Sequence, residues 1–324
     1  MKIKESLRSV KRIVTSVISI SCLLIASHGN AWFFSYTGYT ETRYPIVLVH
    51  GFGGFDSIGD LLDYFHKISY NLERSGATVY TAQLSPFNDS EVTGQQLADY
   101  LVNHIPAEKV NLFAHSQGAP TARVAATFAP DRIASITSID GANKGSPVLD
   151  ILHGLIPPGS HLASVAGPVL DGLGSLLALV SGGDAKAEQD ALAGIESLTI
   201  AGAADLNTRH GWGVNTQSAC GKSQENIDVF GHNIKMYSWV GTDATTNVFD
   251  ISDALLKLTS LAFNGEANDG LISQCSQYMG QVIYDNRHMN HLDAANQVLG
   301  VSSLWLDPVS LYRAHANRLK SKNL

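Results

Sequence analysis

The segment Lys109-Val-Asn-Leu-Phe-Ala-His-Ser-Gln-Gly118 constrains this chain more than any other feature. A strand signal runs without a loop into Ala114-x-Ser116-x-Gly118 and then into a helical stretch from Ala119 to Phe128. A strand that turns directly into a helix at a serine holds that serine in a strained backbone conformation, and the residues two before and two after it must be small. Ala114 and Gly118 meet that need, so the segment reads as a nucleophile elbow with Ser116 at its tip.

An elbow of this kind needs a parallel sheet around it, and the flanking sequence has the matching alternation. Pro45 to Val49 reads as a strand, followed by Ile58, Leu61, Leu62, Phe65, Ile68 and Leu72 at helical spacing up to Gly76. The pattern repeats with a strand at Val79 to Leu84, a helix around Gln95 to Ile105, the elbow, and a strand around Ile133 to Ile139. Strand and helix in alternation imply an α/β fold with a mostly parallel sheet and helices on both faces. A chain of 324 residues with 44% hydrophobic residues can bury a core of that size, and no Pro- or Ser-rich linker divides it. The net charge of -7, with 29 acidic against 22 basic residues, leaves no electrostatic footprint for nucleic acid.

The N-terminus is separate from this fold. Lys2, Lys4, Arg8, Lys11 and Arg12 precede an uncharged apolar run from Ile13 to Ala26, too short to span a bilayer comfortably, and Gly29-Asn30-Ala31 offers small residues before a cut. Residues 1–31 therefore read as a signal peptide, with a single domain over 32–324 exported from a bacterial-type cell. Cys22 is lost with the leader, and the two cysteines that remain, Cys220 and Cys275, suggest one disulfide in an oxidising compartment.

Around Ser116 the chemistry of acyl transfer asks for further groups. Two backbone N–H donors are needed for an oxyanion, and the amide of Gln117 at the helix start supplies one. The glycine-rich turn His50-Gly-Phe-Gly-Gly54 after the first strand suits the second, assigned to Phe52. His50 itself reads as a loop-orienting residue, because the order nucleophile, acid, histidine puts the base later in the chain. Of the seven histidines after Ser116, His291 fits best, on a loop after the strand-like Gly280 to Asp285, with His288 as the competitor. Asp269, in the turn Asn268-Asp-Gly270, is the acid, the alternative being an ordinary turn aspartate. Between the halves, 159–182 carries leucines and valines at helical spacing around Pro168, as a core helix or as a lid over an acyl pocket.

With these residues in place the chain resembles the bacterial true lipases of the Pseudomonas and Burkholderia type, the triacylglycerol lipases of family I.1. The likeness covers essentially all of the mature chain. It rests on Tyr44-Pro-Ile-Val-Leu-Val-His-Gly51, Ala114-His-Ser-Gln-Gly118, Lys144-Gly-Ser146, Ala267-Asn-Asp-Gly-Leu271, Met289-Asn-His-Leu-Asp293 with Asn296-Gln297, and His315-Ala-Asn-Arg-Leu319. The resemblance implies an α/β-hydrolase fold, catalytic roles for Ser116, Asp269 and His291 (which selects His291 over His288), a Cys220–Cys275 disulfide and a lid over 159–182. It also implies secretion through the periplasm with the help of a lipase-specific foldase, and long-chain acylglycerols at an oil–water interface as substrate. An esterase, phospholipase or polyester hydrolase on the same scaffold is the alternative, and a non-catalytic binding module of this fold is the reading from another class.

A structural Ca²⁺ ion is expected as well. Asp250 and Asp293 are hard oxygen donors flanking the acid and base loops, and the resemblance adds the backbone carbonyls of Gln297 and Val301. Without the resemblance, Asp250 and Asp293 read as helix caps. Ala114 and Ala119 depart from the family's usual glycines, which leaves every reacting group present but bears on how the elbow packs.

Overall fold

The computed structural model describes residues 38–54, 57–58, 62–180 and 190–324. The signal peptide expected over 1–31, the expected mature start at Trp32 and the last two residues of the 159–182 segment lie outside them.

In chain order the main elements are β1 (Ile46–Val49), α1 (Ile68–Glu73), β2 (Val79–Thr81), α2 (Ser90–Asn103), β3 (Val110–His115), α3 (Gly118–Phe128), β4 (Ile133–Ile139), α4 (Pro147–His153), α5 (His161–Val180), α6 (Ala191–Leu198), α7 (Ile200–His210), β5 (Asn226–Val229), β6 (His232–Gly241), α8 (Ile251–Thr259), β7 (Gln281–Arg287) and α9 (Pro308–Ser321). The strands form one seven-stranded sheet, in which β2, β1, β3, β4 and β6 lie side by side and parallel. The far edge of β6 is shared, with β5 pairing antiparallel along its start and β7 parallel along its end.

Side chains of a strand alternate between faces, and here both faces are covered. Val47, Val49, Leu112 and Ala114 pack with Leu97 and Leu101 of α2 and Ala122 of α3. Ile46, Leu48, Phe113 and Trp239 pack on the other side with Ile68 and Leu72 of α1 and Tyr312 of α9. Every residue of β3 and β4 is buried, which is why these strands read as unbroken apolar or small runs. His315 in the tail motif belongs to this core. It is fully buried in α9 and bonded through Nε2 to Thr137 Oγ1 at 2.8 Å, and burial pulls its pKa down to about 3, so it is neutral.

Two expectations need correction. The helical spacing from Ile58 to Leu72 becomes a helix only from Ile68, while Ser57–Ile58 pairs with Leu62–Asp63 in a small hairpin. Gly59 and Asp60 have poor helix propensity, and Lys67 takes a left-handed backbone (φ 58°) that an α-helix cannot contain. Between His291 and α9 the chain forms only short 3₁₀ turns, Asp293–Ala295 and Val298–Gly300, and Asp293 caps no α-helix. Asp250 does cap α8, its side chain accepting from the amide of Ser252.

In open parallel sheets the ligand crevice lies outside the carboxyl ends of the strands. That edge carries Gly51 and Phe52 after β1, Ser116 after β3, Asp140 after β4 and Gly241 at the end of β6, with His291 on the loop that follows β7. A disulfide between Cys220 and Cys275 ties the segment after α7 to the loop that carries Asp269.

Candidate active site

Ser116 takes φ 57°, a left-handed conformation unusual for a residue with a side chain, between the last residue of β3 and the first turn of α3. The strain is held by its own backbone. Ser116 N–H donates to Ile139 O at 3.0 Å, and its carbonyl accepts from Ala119 N at 3.1 Å and Ala142 N at 3.2 Å. Gly118 has no freedom to be larger, because a Cβ there would sit 2.5 Å from Val49 O and 2.8 Å from His50 O. The methyl of Ala119 is accommodated by Gly141, where a Cβ would lie 2.6 Å from it. The departure at Ala119 is therefore absorbed by local packing.

The fold brings together three residues that sequence reading had placed in separate loops. His291 Nε2 lies 2.8 Å from Ser116 Oγ, and His291 Nδ1 lies 2.8 Å from Asp269 Oδ2. Asp269 is fully buried, accepts from Leu271 N (2.9 Å) and Ile272 N (2.7 Å) through Oδ1, and receives Gln277 Nε2 at 3.3 Å on Oδ2. With the Asp269 carboxyl facing Nδ1 of His291, that nitrogen carries the hydrogen and Nε2 is left to accept from the serine hydroxyl. His288 points elsewhere, pairing with Asp243. His50 bonds Gly51 O at 2.9 Å through Nδ1, in the loop-orienting role.

A second chain of bonds, not read from the sequence, locks these loops to one another. Gly51 N–H donates to Tyr64 Oη (3.0 Å), Tyr64 donates to His115 Nδ1 (2.7 Å), and His115 Nε2–H donates to His291 O (2.9 Å). Burial, with the neighbouring His291 adding to it, holds the His115 pKa well below the usual imidazole range, so it stays neutral and keeps the tautomer this chain needs. The one available signal was a histidine directly before the nucleophile on a strand buried along its whole length. Gln277 was also missed; it bonds Gly241 O (2.9 Å) and Ile272 O (3.2 Å) beside Asp269.

Gly51 presses against the nucleophile, since a Cβ there would lie 2.6 Å from Ser116 Cβ and 3.1 Å from its Oγ. The Phe52 amide follows Gly51 in the same turn, and the Gln117 amide stands at the start of α3, directly after the serine. The small cavity at this point, about 80 Å³, is lined by Ser116 and His291 together with Phe52, Leu149, Leu173 and Leu176. Leu173 and Leu176 come from α5, which lies over the serine with Pro168 within it. Among the described residues no helix is long and apolar enough to cross a membrane.

Two groups bear on metal binding. Asp140, Asp269 and His291 are buried and have ligand atoms within 4.8 Å of one another, close enough in principle to hold a metal ion. The expected Ca²⁺ residues form another group. Asp293 Oδ2 accepts from Thr246 Oγ1 (2.6 Å) and Asn290 N (3.0 Å), and Asp250 Oδ1 accepts from Ser252, yet Asp293 Oδ1 and Asp250 Oδ2 are buried without a hydrogen-bond partner. Burial is the main cause that raises both pKa values, Asp293 to about 7, and the charge of Asp250 adds to the rise at Asp293. Unpaired, mutually repelling carboxylate oxygens in a buried site fit a hard divalent cation.

A family model of the alpha/beta hydrolase fold matches residues 44–158. A triacylglycerol lipase of Vibrio cholerae serotype O1 is 46% identical over 318 residues, covering 97% of this chain and 99% of that protein. A triacylglycerol lipase of Pseudomonas fragi is 36% identical over 296 residues, covering 88% and 98% respectively. Among solved structures, the lipase of Staphylococcus hyicus superposes with a TM-score of 0.57 at 15% identity over 86% of this chain and 97% of that one, a likeness of fold.

Proposed function

We propose that this chain, which belongs to the triacylglycerol lipases and so to the carboxylic ester hydrolases of α/β-hydrolase fold, is a secreted serine lipase that cleaves long-chain acylglycerols at an oil–water interface. The observation that carries the serine mechanism is the unbroken chain from Ser116 Oγ through His291 to Asp269, 2.8 Å at each step. Ser116 Oγ attacks the ester carbonyl while His291 Nε2 takes its proton and later returns it to the departing alcohol. Asp269 holds the imidazole tautomer and stabilises the imidazolium. The amides of Phe52 and Gln117 receive the negative charge that develops on the carbonyl oxygen. Water, activated by His291, then releases the fatty acid.

Helix α5 acts as the lid. Sites for drug-sized ligands occupy roughly 300–1,000 Å³, and the cavity of about 80 Å³ beneath Leu173 and Leu176 has no room for a long acyl chain. The helix must move to admit substrate, and its apolar underside would then face the lipid. A structural Ca²⁺ would be held by the carboxylates of Asp250 and Asp293 with the carbonyls of Gln297 and Val301. Its charge would keep both carboxylates ionised and tie the histidine loop to the start of α8, without contact with the substrate. Asp253 already supports that junction, accepting from Asn290 Nδ2 at 2.8 Å and from the amides of Thr246 and Asn247 at 2.7 Å. The basic and apolar leader over 1–31 supports export through the periplasm, and a lipase-specific foldase is the expected partner during folding.

The test is to label the purified protein with a phosphonate ester and map the adduct, then to compare hydrolysis of a triglyceride series below and above its solubility limit. Labelling of Ser116 and a sharp rise in rate once an interface forms are expected. Labelling elsewhere would overturn the nucleophile, and a rate that ignores the interface would make the chain an esterase on the same scaffold.

A further inference from the structure

The carboxyl ends of β4 and β6 place a second acid behind the one assigned above. Asp140, the residue after β4, is fully buried in a left-handed backbone conformation (φ 45°), and its Oδ1 accepts from Gly241 N at 2.9 Å. Gly241 makes room for the carboxyl, because a Cβ on it would lie 2.4 Å from Asp140 Oδ2. That oxygen has no hydrogen-bond partner. An oxygen of Asp140, an oxygen of Asp269 and a ring nitrogen of His291 all fall within 4.8 Å of one another. Gln277 bridges the two acids' surroundings, accepting from Gly241 N at 3.0 Å and donating to Asp269 Oδ2 at 3.3 Å.

We propose that Asp140 is a second positioning acid for His291, neutral while Asp269 is ionised and able to take over as the imidazole's partner when Asp269 is lost. This rests on the reading of Ser116, His291 and Asp269 as the catalytic set. Two buried carboxyls this close cannot both carry charge. Asp269 receives donors from Leu271, Ile272, Gln277 and His291, whereas Asp140 receives one backbone amide that Gln277 shares, so the proton belongs on Asp140. Burial first, and the charge of Asp269 second, raise the Asp140 pKa well above the carboxylate range. If Asp269 is removed, its share of what keeps Asp140 protonated goes with it, and the positive charge that forms on His291 during turnover offsets the burial that remains. Its proton can leave to water, and the carboxylate then formed lies beside His291.

The experiment is a double-mutant cycle on the whole mature protein with its ions, using D140N, D269A and D269A/D140N and a soluble short-chain ester. Rates are expressed per site titrated by the phosphonate, and melting is measured for each variant. D140N alone should lose a few-fold. D269A should lose roughly ten- to a hundredfold, less than the ~10⁴-fold seen where a triad has no substitute acid, and adding D140N should then cost at least about a hundredfold more. The low-field Nδ1 proton of His291, which needs an acceptor beside it, should persist in D269A and vanish in the double variant, a signature that a purely structural Asp140 would not move. If D269A does not fold, D269S leaves a small polar side chain for the Leu271 and Ile272 amides and enters the same cycle. Equal factors for D140N with and without Asp269, while Ser116 is still labelled and D269A is impaired, would overturn the proposal and leave the catalytic assignment standing. Wild-type activity in D269A and in the double variant together would overturn both.

Discussion

The hydroxyl of Tyr64 joins the oxyanion turn to the histidine loop, so Tyr64→Phe tests whether that linkage sets the geometry of the site. The substitution keeps the ring, which packs against Phe65 and His115, and removes one oxygen. The Gly51 amide at 3.0 Å and His115 Nδ1 at 2.7 Å then lose a partner, and the Gln297 side chain loses its bond to the hydroxyl. A buried polar group left unsatisfied costs about 1–3 kcal/mol. The cavity of about 80 Å³ beside Tyr64 lets one water replace part of the loss. The expected net destabilisation is therefore about 2–3 kcal/mol, which for a domain of this size lowers the melting temperature by roughly 4–8 °C.

The kinetic consequence is separable from the thermal one. Gly51 precedes Phe52, and the amide assigned to Phe52 meets negative charge only in the transition state, so a loosened turn should lower kcat with little change in KM for a soluble ester. Loss of one oxyanion donor costs ~10²–10³-fold in kcat elsewhere, and a displaced donor should cost roughly tenfold or more. Urea unfolding of the wild type and Tyr64→Phe gives the first quantity, and initial rates per phosphonate-titrated site give the second. A stability change below about 1 kcal/mol together with wild-type kcat would refute the reasoning, since it would mean that Gly51, His115 and His291 hold their places without the hydroxyl.

Ser116→Ala should abolish ester hydrolysis and phosphonate labelling while leaving the melting temperature within a few degrees, as calorimetry and a rate assay on the purified variant will show. Leu173→Asp puts a charge at a position 5% exposed beneath the lid, at a cost of several kcal/mol to the closed state. The ratio of activity on emulsified long-chain triglyceride to activity on a soluble short-chain ester should fall by roughly tenfold, because the lid then opens without an interface and meets lipid poorly. Removing Ca²⁺ with a chelator should lower stability and activity together, and Asp250→Ala should reproduce the loss and abolish the response to added Ca²⁺. The metal-free form should also lose stability as pH rises. The folded pKa of Asp293, about 7 without a cation, lies above its ordinary 3.8, so the native state binds the extra proton and its contribution is complete below about pH 4 and gone above about pH 7. Melting curves from pH 4 to 8 with and without Ca²⁺ check this, the ion-loaded protein showing no such fall.

What was legible in the chain and what was not separates along physical lines. The elbow could be read because its constraint is local, with Ala114 and Gly118 two residues either side of Ser116 in a turn that tolerates nothing larger. The parallel sheet was legible because strands buried on both faces show as continuous runs, as in Val110–His115 and Ile133–Ile139. The 58–72 region misled for a related reason, since helical spacing of apolar residues cannot show that Lys67 breaks the backbone or that Ile58 pairs antiparallel with Leu62. Asp140, Gln277 and Tyr64 carry no local signature at all. Each acts through a neighbour brought to it by strand register, as Asp140 is brought to Gly241 by the pairing of β4 with β6, and no pattern along the sequence encodes that register.

That distinction bears on how a histidine on an irregular loop can be held to the tolerance that proton transfer demands. His291 has no helix or strand of its own, only the 3₁₀ turn that begins at Asp293. Its position is set from four directions. His115 Nε2 donates to its carbonyl, its own amide donates to Asp269 O at 2.9 Å, Asn290 before it is tied to Asp253 of α8, and Tyr312 of α9 donates to Ala294 O at 2.9 Å after it. Two of these anchors, His115 in β3 and Tyr312 in α9, belong to elements packed into or against the sheet, while Asp253 sits in α8, which packs on α5, so the loop inherits from the sheet rigidity it does not possess by itself. The serine faces the same demand and meets it differently, through strain stored in a single residue at the end of a buried strand. Movement of α5 therefore reaches the histidine loop through packing, Leu176 of α5 clustering with Leu256 and Leu292, rather than through the bonds that anchor it. None of the four anchors of His291, and none of the bonds that hold Ser116, comes from α5.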